Sequence, residues 1–240
     1  MAGDNGCGGR VEAHPMLCVV TGFVPIPDHP RPEAEYRKLG ERLAAVVVPP
    51  NVAALIQLET NLTDCWLYKW MEWQGQEFRH SVSDNPRKNT SAYLIAQSQK
   101  IEFLSEAARH YEADVFMWLD WGIFHLRGLT DEILIDFFWR AKHERVITMP
   151  GCWDKNYTYT DDHPCWRFAG GVWIVPRKWL FELEAAMKTE YIRGLKEGRP
   201  LTWEVNVLSR LERQGFPLWW YGPCDHDASL FTVYKGTVHA

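Results

Sequence analysis

"DVFMWLDWGIFH", residues 114–125, decides how this chain folds. An apolar run from Val115 to Leu119 ends in one carboxylate, Asp120, and Trp121 and Gly122 follow at once. A short unbroken apolar run suits a strand covered on both faces of a parallel sheet. In open parallel sheets, ligands gather outside the carboxyl ends of the strands. Asp120 is therefore expected where a ligand is met, and Gly122 allows close approach of ligand or backbone. The competing reading is a carboxylate that caps the next turn.

Outward from this strand, apolar runs alternate with helical patterns, as in βαβ units. Strands are expected at 16–23, 52–59, 114–120, 145–151, 168–176 and 216–222. Helices are expected at 32–47, 90–111, 130–144, 177–197 and 202–214. Thr130 and Thr202 are expected as helix caps, and Gly215 as the residue just past a helix end. The polar, Trp-rich stretch 61–90 shows no clear period and is expected to be irregular and to line a site. The class that results is α/β, a mixed, mainly parallel sheet flanked by helices. Residues 1–15 are Gly-rich and polar and are expected to be disordered; residues 16–235 are expected to form a single domain.

Composition narrows the function. With 46% hydrophobic and 24% charged residues among 240, the chain has the balance of a soluble globular protein. A net charge of −5 gives no electrostatic case for a general nucleic-acid binder. Thirteen tryptophans supply core, with a few expected to line a site. The cysteines at 7, 18, 65, 152, 165 and 224 form no CxxC and no zinc spacing, and read as reduced thiols of a cytosolic protein, or of a host cytosol were the chain viral. No signal segment and no apolar run long enough to span a bilayer is present in the sequence. The absence of GxGxxG, Walker, GxSxG and HExxH motifs argues against dinucleotide oxidoreductases, P-loop NTPases, nucleophile-elbow hydrolases and zincins.

Chemistry is expected where strands end. Thr21, Gly22 and Phe23 close the first strand, Glu59 the second and Asp120 the third. Lys100 falls on the apolar stripe of Tyr93, Ala96, Phe103 and Ala107, so it must snorkel or find a partner, either a phosphate or Asp120. Gly170-Gly171 marks a bulge or a place where a ligand meets backbone. Glu204 sits in a first helical turn on the stripe of Leu208 and Leu211; it reads either as an inward general base or as an acid favoured by the helix dipole. The cluster Cys224-Asp225-His226-Asp227 reads as a turn when taken alone, and as part of an Mn²⁺ or Mg²⁺ site when paired with Asp120.

The segments "QKIEFLSEAARHYEADVFMWLDWGIFH", "FAGGVWIVPRKWL", "LTWEVNVL" and "DHDASL" occur in an order that resembles HtrL/YibB-like glycosyltransferases, over most of residues 16–234. The resemblance implies a GT-A-like fold, a nucleotide-sugar donor (a UDP-sugar first) and a divalent metal, Mn²⁺ or Mg²⁺. The positions that match the common DxD motif are Asp120-Trp121-Gly122, which leaves one strong ligand on this strand. It further implies metal ligation by Asp120 with His226 or Asp225, and donor binding by Thr21, Gly22, Phe23, Glu59, Lys100, Trp121, Gly122, Gly170 and Gly171. Catalysis would rest on Asp120, Lys100 and Glu204: Lys100 and the metal meeting the charge of the leaving diphosphate, Glu204 acting as base if transfer inverts.

Two acceptors stay open: a saccharide, or a hydroxymethylated pyrimidine in DNA. For DNA stand the aromatics and the basic pairs Arg87-Lys88, Arg140-Lys142 and Arg177-Lys178; against it stands the acidic balance. The other classes are a non-catalytic sugar- or nucleotide-binding module on the same fold and, ranked last, a nucleotidyltransferase.

Overall fold

The computed structural model describes residues 16–27, 31–46 and 52–236. The segment 1–15 expected to be disordered lies outside the described residues, as does Cys7.

Six strands form one sheet: β1 (Leu17–Phe23), β2 (Ala53–Glu59), β3 (Val115–Leu119), β4 (Ile147–Pro150), β5 (Val172–Pro176) and β6 (Leu218–Tyr221). Their order is β2-β1-β3-β5-β4-β6. β1 pairs in parallel with β2 and β3, and β4 in parallel with β6. β5 runs antiparallel between β3 and β4. The sheet is thus the mixed, mainly parallel α/β sheet expected. Reversal of β5 carries the consequence that matters: its start, Gly170-Gly171, lies at the edge where β3 ends. The Asp120 backbone N–H donates to the Gly171 carbonyl at 3.0 Å.

The expected helices form: α1 (Glu33–Ala44), α3 (Ser91–Ser98), α4 (Lys100–His110), α5 (Asp131–Ala141), α6 (Arg177–Lys196) and α7 (Glu204–Arg213), to which α2 (Trp66–Gln74) and the short α8 (Ser229–Thr232) are added. Three expectations are corrected. The stretch 61–90 is not irregular throughout, because it holds α2, which ends on Gly75 in the left-handed region at φ 63°. The helix expected at 90–111 is two, separated at Gln99, whose side-chain oxygen accepts the Trp66 backbone N–H at 3.3 Å. Thr202 does not cap α7. Trp203 takes that position, and the Thr202 hydroxyl donates to the Asp161 carbonyl. Thr130 does cap α5, accepting from the Ile133 N–H, and Gly215 follows α7 at φ 89°.

Alternation along the strands sends side chains to two helical layers. Cys18, Val20, Phe116, Trp118, Trp173 and Val175 meet α4, α6 and α7 on one face. Leu17, Val19, Val115, Met117, Val172 and Ile174 meet α5 and α8 on the other. Both faces of β3 and β5 are therefore dry, which is why their sequences are apolar without alternation. The described cysteines are all free thiols. No described helix is long and apolar enough to cross a membrane.

Candidate active site

Asp120 follows β3 on the same alternation as Phe116 and Trp118, so its carboxylate turns toward α4. There the Trp118 ring stacks on Phe103, with centroids 6.0 Å apart, and the Trp118 indole N–H donates to Asp120 Oδ1 at 2.8 Å. Lys100 opens α4 directly beneath. Its ammonium donates to the Gly170 carbonyl at 2.9 Å and to Glu204 Oε1 at 2.7 Å, and lies 3.1 Å from Asp120 Oδ1. The apolar stripe thus carries a lysine because two carboxylates and a carbonyl await it. Burial alone would pull its pKa down; Asp120 and Glu204 raise it above the usual lysine range.

The three members differ in access. The Lys100 and Glu204 side chains are 5% and 2% exposed, whereas Asp120 is 29% exposed. Of the three, Asp120 is the one substantially open to solvent. Lys100 spends its three donors on protein groups, so its role in this conformation is to hold the two carboxylates. Glu204 Oε2 is buried and has no hydrogen-bond partner among the described residues.

The glycine pair makes this packing possible. A Cβ on Gly170 would lie 2.1 Å from Glu204 Oε1, whereas one on Gly171 would make ordinary contacts, 3.6 Å from Asp120 Oδ2.

Above Asp120 lies a small, open cleft lined by Gly22, Phe23, Tyr36, Lys100, Asp120 and Trp121 among others. Trp121 is fixed by donating its indole N–H to the Tyr36 carbonyl at 3.1 Å, and it packs on Phe23 at 5.5 Å. Gly122 lies against Tyr36, whose ring a Cβ there would meet at 2.8 Å. Cations converge on the same space. Arg31, Lys88 and Lys100 all act electrostatically on the groups around Asp120, and burial lowers the pKa of Lys88. Burial raises the pKa values of Tyr36 and Tyr93.

Two expected donor contacts fall elsewhere. Thr21 alternates to the side away from Gly22 and is fully buried, with no partner for its hydroxyl among the described residues. Glu59 ends β2 as expected but is held by Arg37, at 2.9 and 3.3 Å, outside the cleft lining. Sequence reasoning missed Tyr36, Tyr93, Lys88 in this role, and His125. Nothing local marks them: Tyr36 lines the cleft, while Tyr93, Lys88 and His125 come within electrostatic reach of Asp120, each from a different element.

Of the expected metal ligands, Asp120 and His226 feel each other's charge, while Asp225 is exposed and acts on Cys152 and Cys224. His226 meets a residue not anticipated: its Nε2 lies 3.0 Å from Nε2 of His125. Among the described residues, no three His, Cys, Asp or Glu side chains gather closely enough to enclose an ion by themselves. Asp120 and His226 are nonetheless one oxygen and one nitrogen donor of the types a divalent ion takes when ligand oxygens complete its shell.

No protein-family model matches the chain, and no curated protein matches it. Among solved structures, the chain is similar to a glycosyltransferase involved in the glycosylation of the major capsid of PBCV-1. The identity is 11% over 87% of this chain and 83% of that one, with a TM-score of 0.49. It is also similar to mouse xyloside xylosyltransferase 1 in its apo form, at 9% identity over 85% of this chain and 84% of that one, with a TM-score of 0.40. At such values neither likeness speaks to activity.

Proposed function

We propose that this protein is a glycosyltransferase that moves a sugar from a nucleotide diphosphate, UDP first among candidates, to an acceptor hydroxyl. One observation carries this: a partly exposed Asp120, clamped by a buried lysine, at the floor of a cleft that gathers aromatic rings and cations. Rings suit a nucleoside and sugar, and cations suit a diphosphate. Phe23, Gly22, Trp121, Tyr36 and Gly122 form the donor's wall, with Lys88 and Arg31 toward the diphosphate. Asp120 and His226 would hold a divalent cation, Mn²⁺ or Mg²⁺, which when bound would offset charge on the leaving diphosphate. Lys100 is assigned a positioning role: it orients Asp120 toward the cleft and keeps Glu204 beneath it. Because Glu204 is buried, a role as base for the acceptor needs a rearrangement that exposes it.

A saccharide acceptor is favoured over hydroxymethylated DNA. Three of the basic residues that would suit DNA have local work. Arg177 donates to the Ala108 and Tyr111 carbonyls, Arg140 pairs with Asp136, and Lys142 is buried over the Trp139 ring. Held by these partners, the three are less available to the phosphates of a duplex.

The test is a thermal-shift panel of UDP, GDP, CDP and TDP, with and without Mn²⁺, followed by mass-spectrometric transfer assays on glycans and on hydroxymethylated DNA. Stabilisation by one nucleotide and transfer to a glycan is the expected result. Stabilisation with no transfer to any acceptor would favour the non-catalytic binding module. No response to any nucleotide would remove the proposal.

A further inference from the structure

His125 and His226 come from distant parts of the chain. His125 ends the turn after Asp120, and His226 follows β6. Their Nε2 atoms are 3.0 Å apart, with ring centroids at 5.1 Å and planes inclined by 48°. The tautomer of His125 is fixed. Its Nδ1 lies 2.5 Å from the Gly122 carbonyl, which can only accept, so Nδ1 carries the proton and Nε2 presents a lone pair. A backbone carbonyl on the far nitrogen is how a metal-binding imidazole is oriented.

The spacing points the same way. Two nitrogens bound cis on an octahedral ion at about 2.1 Å are about 2.1 × √2, or roughly 3.0 Å, apart, whereas tetrahedral ligation would spread them to about 3.4 Å. Asp120 sets a negative charge near both rings. Without a cation, the two Nε2 atoms share one proton, donated by His226. A cation takes its place if His226 carries that proton on Nδ1 instead, so both rings stay neutral.

We propose that His125 and His226 form a two-imidazole site for a nitrogen-preferring divalent cation, with the remaining positions left to ligand oxygens. His125, not Asp225, is the companion of His226. Imidazole pairs select Zn²⁺, Ni²⁺, Co²⁺ and, more weakly, Mn²⁺ over Mg²⁺, which prefers an all-oxygen shell. The site stands on its own geometry; only its service to a donor diphosphate rests on the glycosyltransferase reading.

The experiment is Co²⁺ titration of the full chain without nucleotide, by absorption and calorimetry, on wild type, His125→Ala, His226→Ala and Asp225→Asn. One Co²⁺ per chain is expected, each histidine variant binding at least tenfold more weakly and Asp225→Asn within twofold of wild type. Mg²⁺ should not compete at millimolar concentration. As a check that needs no variant, substoichiometric Mn²⁺ should broaden the ring resonances of His125 and His226 together in wild type. Wild-type affinity in His125→Ala, or broadening of His226 alone, would overturn the proposal. If Co²⁺ binds as expected but no nucleotide does, the metal site holds and the glycosyltransferase reading fails. The reverse pattern separates the two in the other direction.

Discussion

The Lys100 ammonium lies 2.7 Å from Glu204 Oε1, and both side chains are all but sealed from solvent. A buried charge left without its partner costs far more than the pair is worth. Lys100→Met strands Glu204 and should destabilise the fold by about 3–5 kcal/mol in urea titration. Lys100→Met with Glu204→Leu removes both charges and should recover much of that loss. A double variant as unstable as the sum of the singles would mean that the two residues do not act as a pair.

Gly170 and Gly171 are adjacent, yet their α-carbons face different neighbours. Gly170→Ala pushes a methyl into Glu204 and toward Lys100 Nζ, 3.2 Å away. Overpacking of this kind should cost about 1–3 kcal/mol, and donor binding should weaken as Asp120 loses its alignment. Gly171→Ala meets Ile123 Cδ1 at 3.5 Å, an ordinary contact, and should stay within about 1 kcal/mol of wild type. Thermal melts of the two variants side by side check this. Equal losses would show that the pair matters for its backbone and not for the space at Gly170.

Much of this centre could be read from sequence because its parts announce themselves locally. An apolar run ending in Asp120, a lysine on the stripe of Phe103 and Ala107, a Gly pair before Val172 and an acid opening α7 are each visible in one line of sequence. Their convergence was implied by the rule that ligands meet strand ends. The direction of β5 was not visible, since an apolar strand reads the same either way and only pairing with β3 decides it. Thr21 was misassigned because a strand's last residues alternate, and the neighbour at Gly22 faces the cleft instead. Lys88 and Tyr36 were illegible as site residues because nothing in a three-residue turn or a helix's first turn tells where it will dock. α2 escaped because Leu67, Tyr68 and Met71 spread its apolar residues well beyond the stripe of Trp66, Trp70 and Trp73 and blur the period.

Lys88 gives a pH test. Burial depresses its pKa, so charged Lys88 costs the folded state stability; the cost is full below the lowered pKa and fades as pH rises through it toward the ordinary lysine value. Lys88→Met should therefore stabilise the protein at pH 7 and lose that advantage in strong alkali. A diphosphate needs the charged form, so its affinity in wild type should fall as pH rises through the same lowered pKa. Lys88→Met should weaken UDP binding roughly tenfold at neutral pH, the worth of one hydrogen bond to a charged group of about 1.5 kcal/mol, and flatten that pH dependence. Calorimetry across pH reads both. A variant with wild-type affinity and slope would place the diphosphate elsewhere.

Asp120 separates binding chemistry from architecture. Its side chain is 29% exposed, and Lys100 retains Glu204 and the Gly170 carbonyl when the Asp120 charge is removed. Asp120→Asn should therefore fold and melt within a few degrees of wild type. In wild type, a nucleotide diphosphate with Mn²⁺ at about a hundred times its Kd should add about 2.7 kcal/mol, which for a chain of this size is a rise of roughly 5–10 °C. The variant should lose most of that metal-dependent rise, and transfer should fall by at least a hundredfold. If Asp120→Asn kept both the metal-dependent rise and the transfer rate, the carboxylate at the end of β3 would be structural. The donor's charge would then have to be met by Lys88 and Arg31 alone.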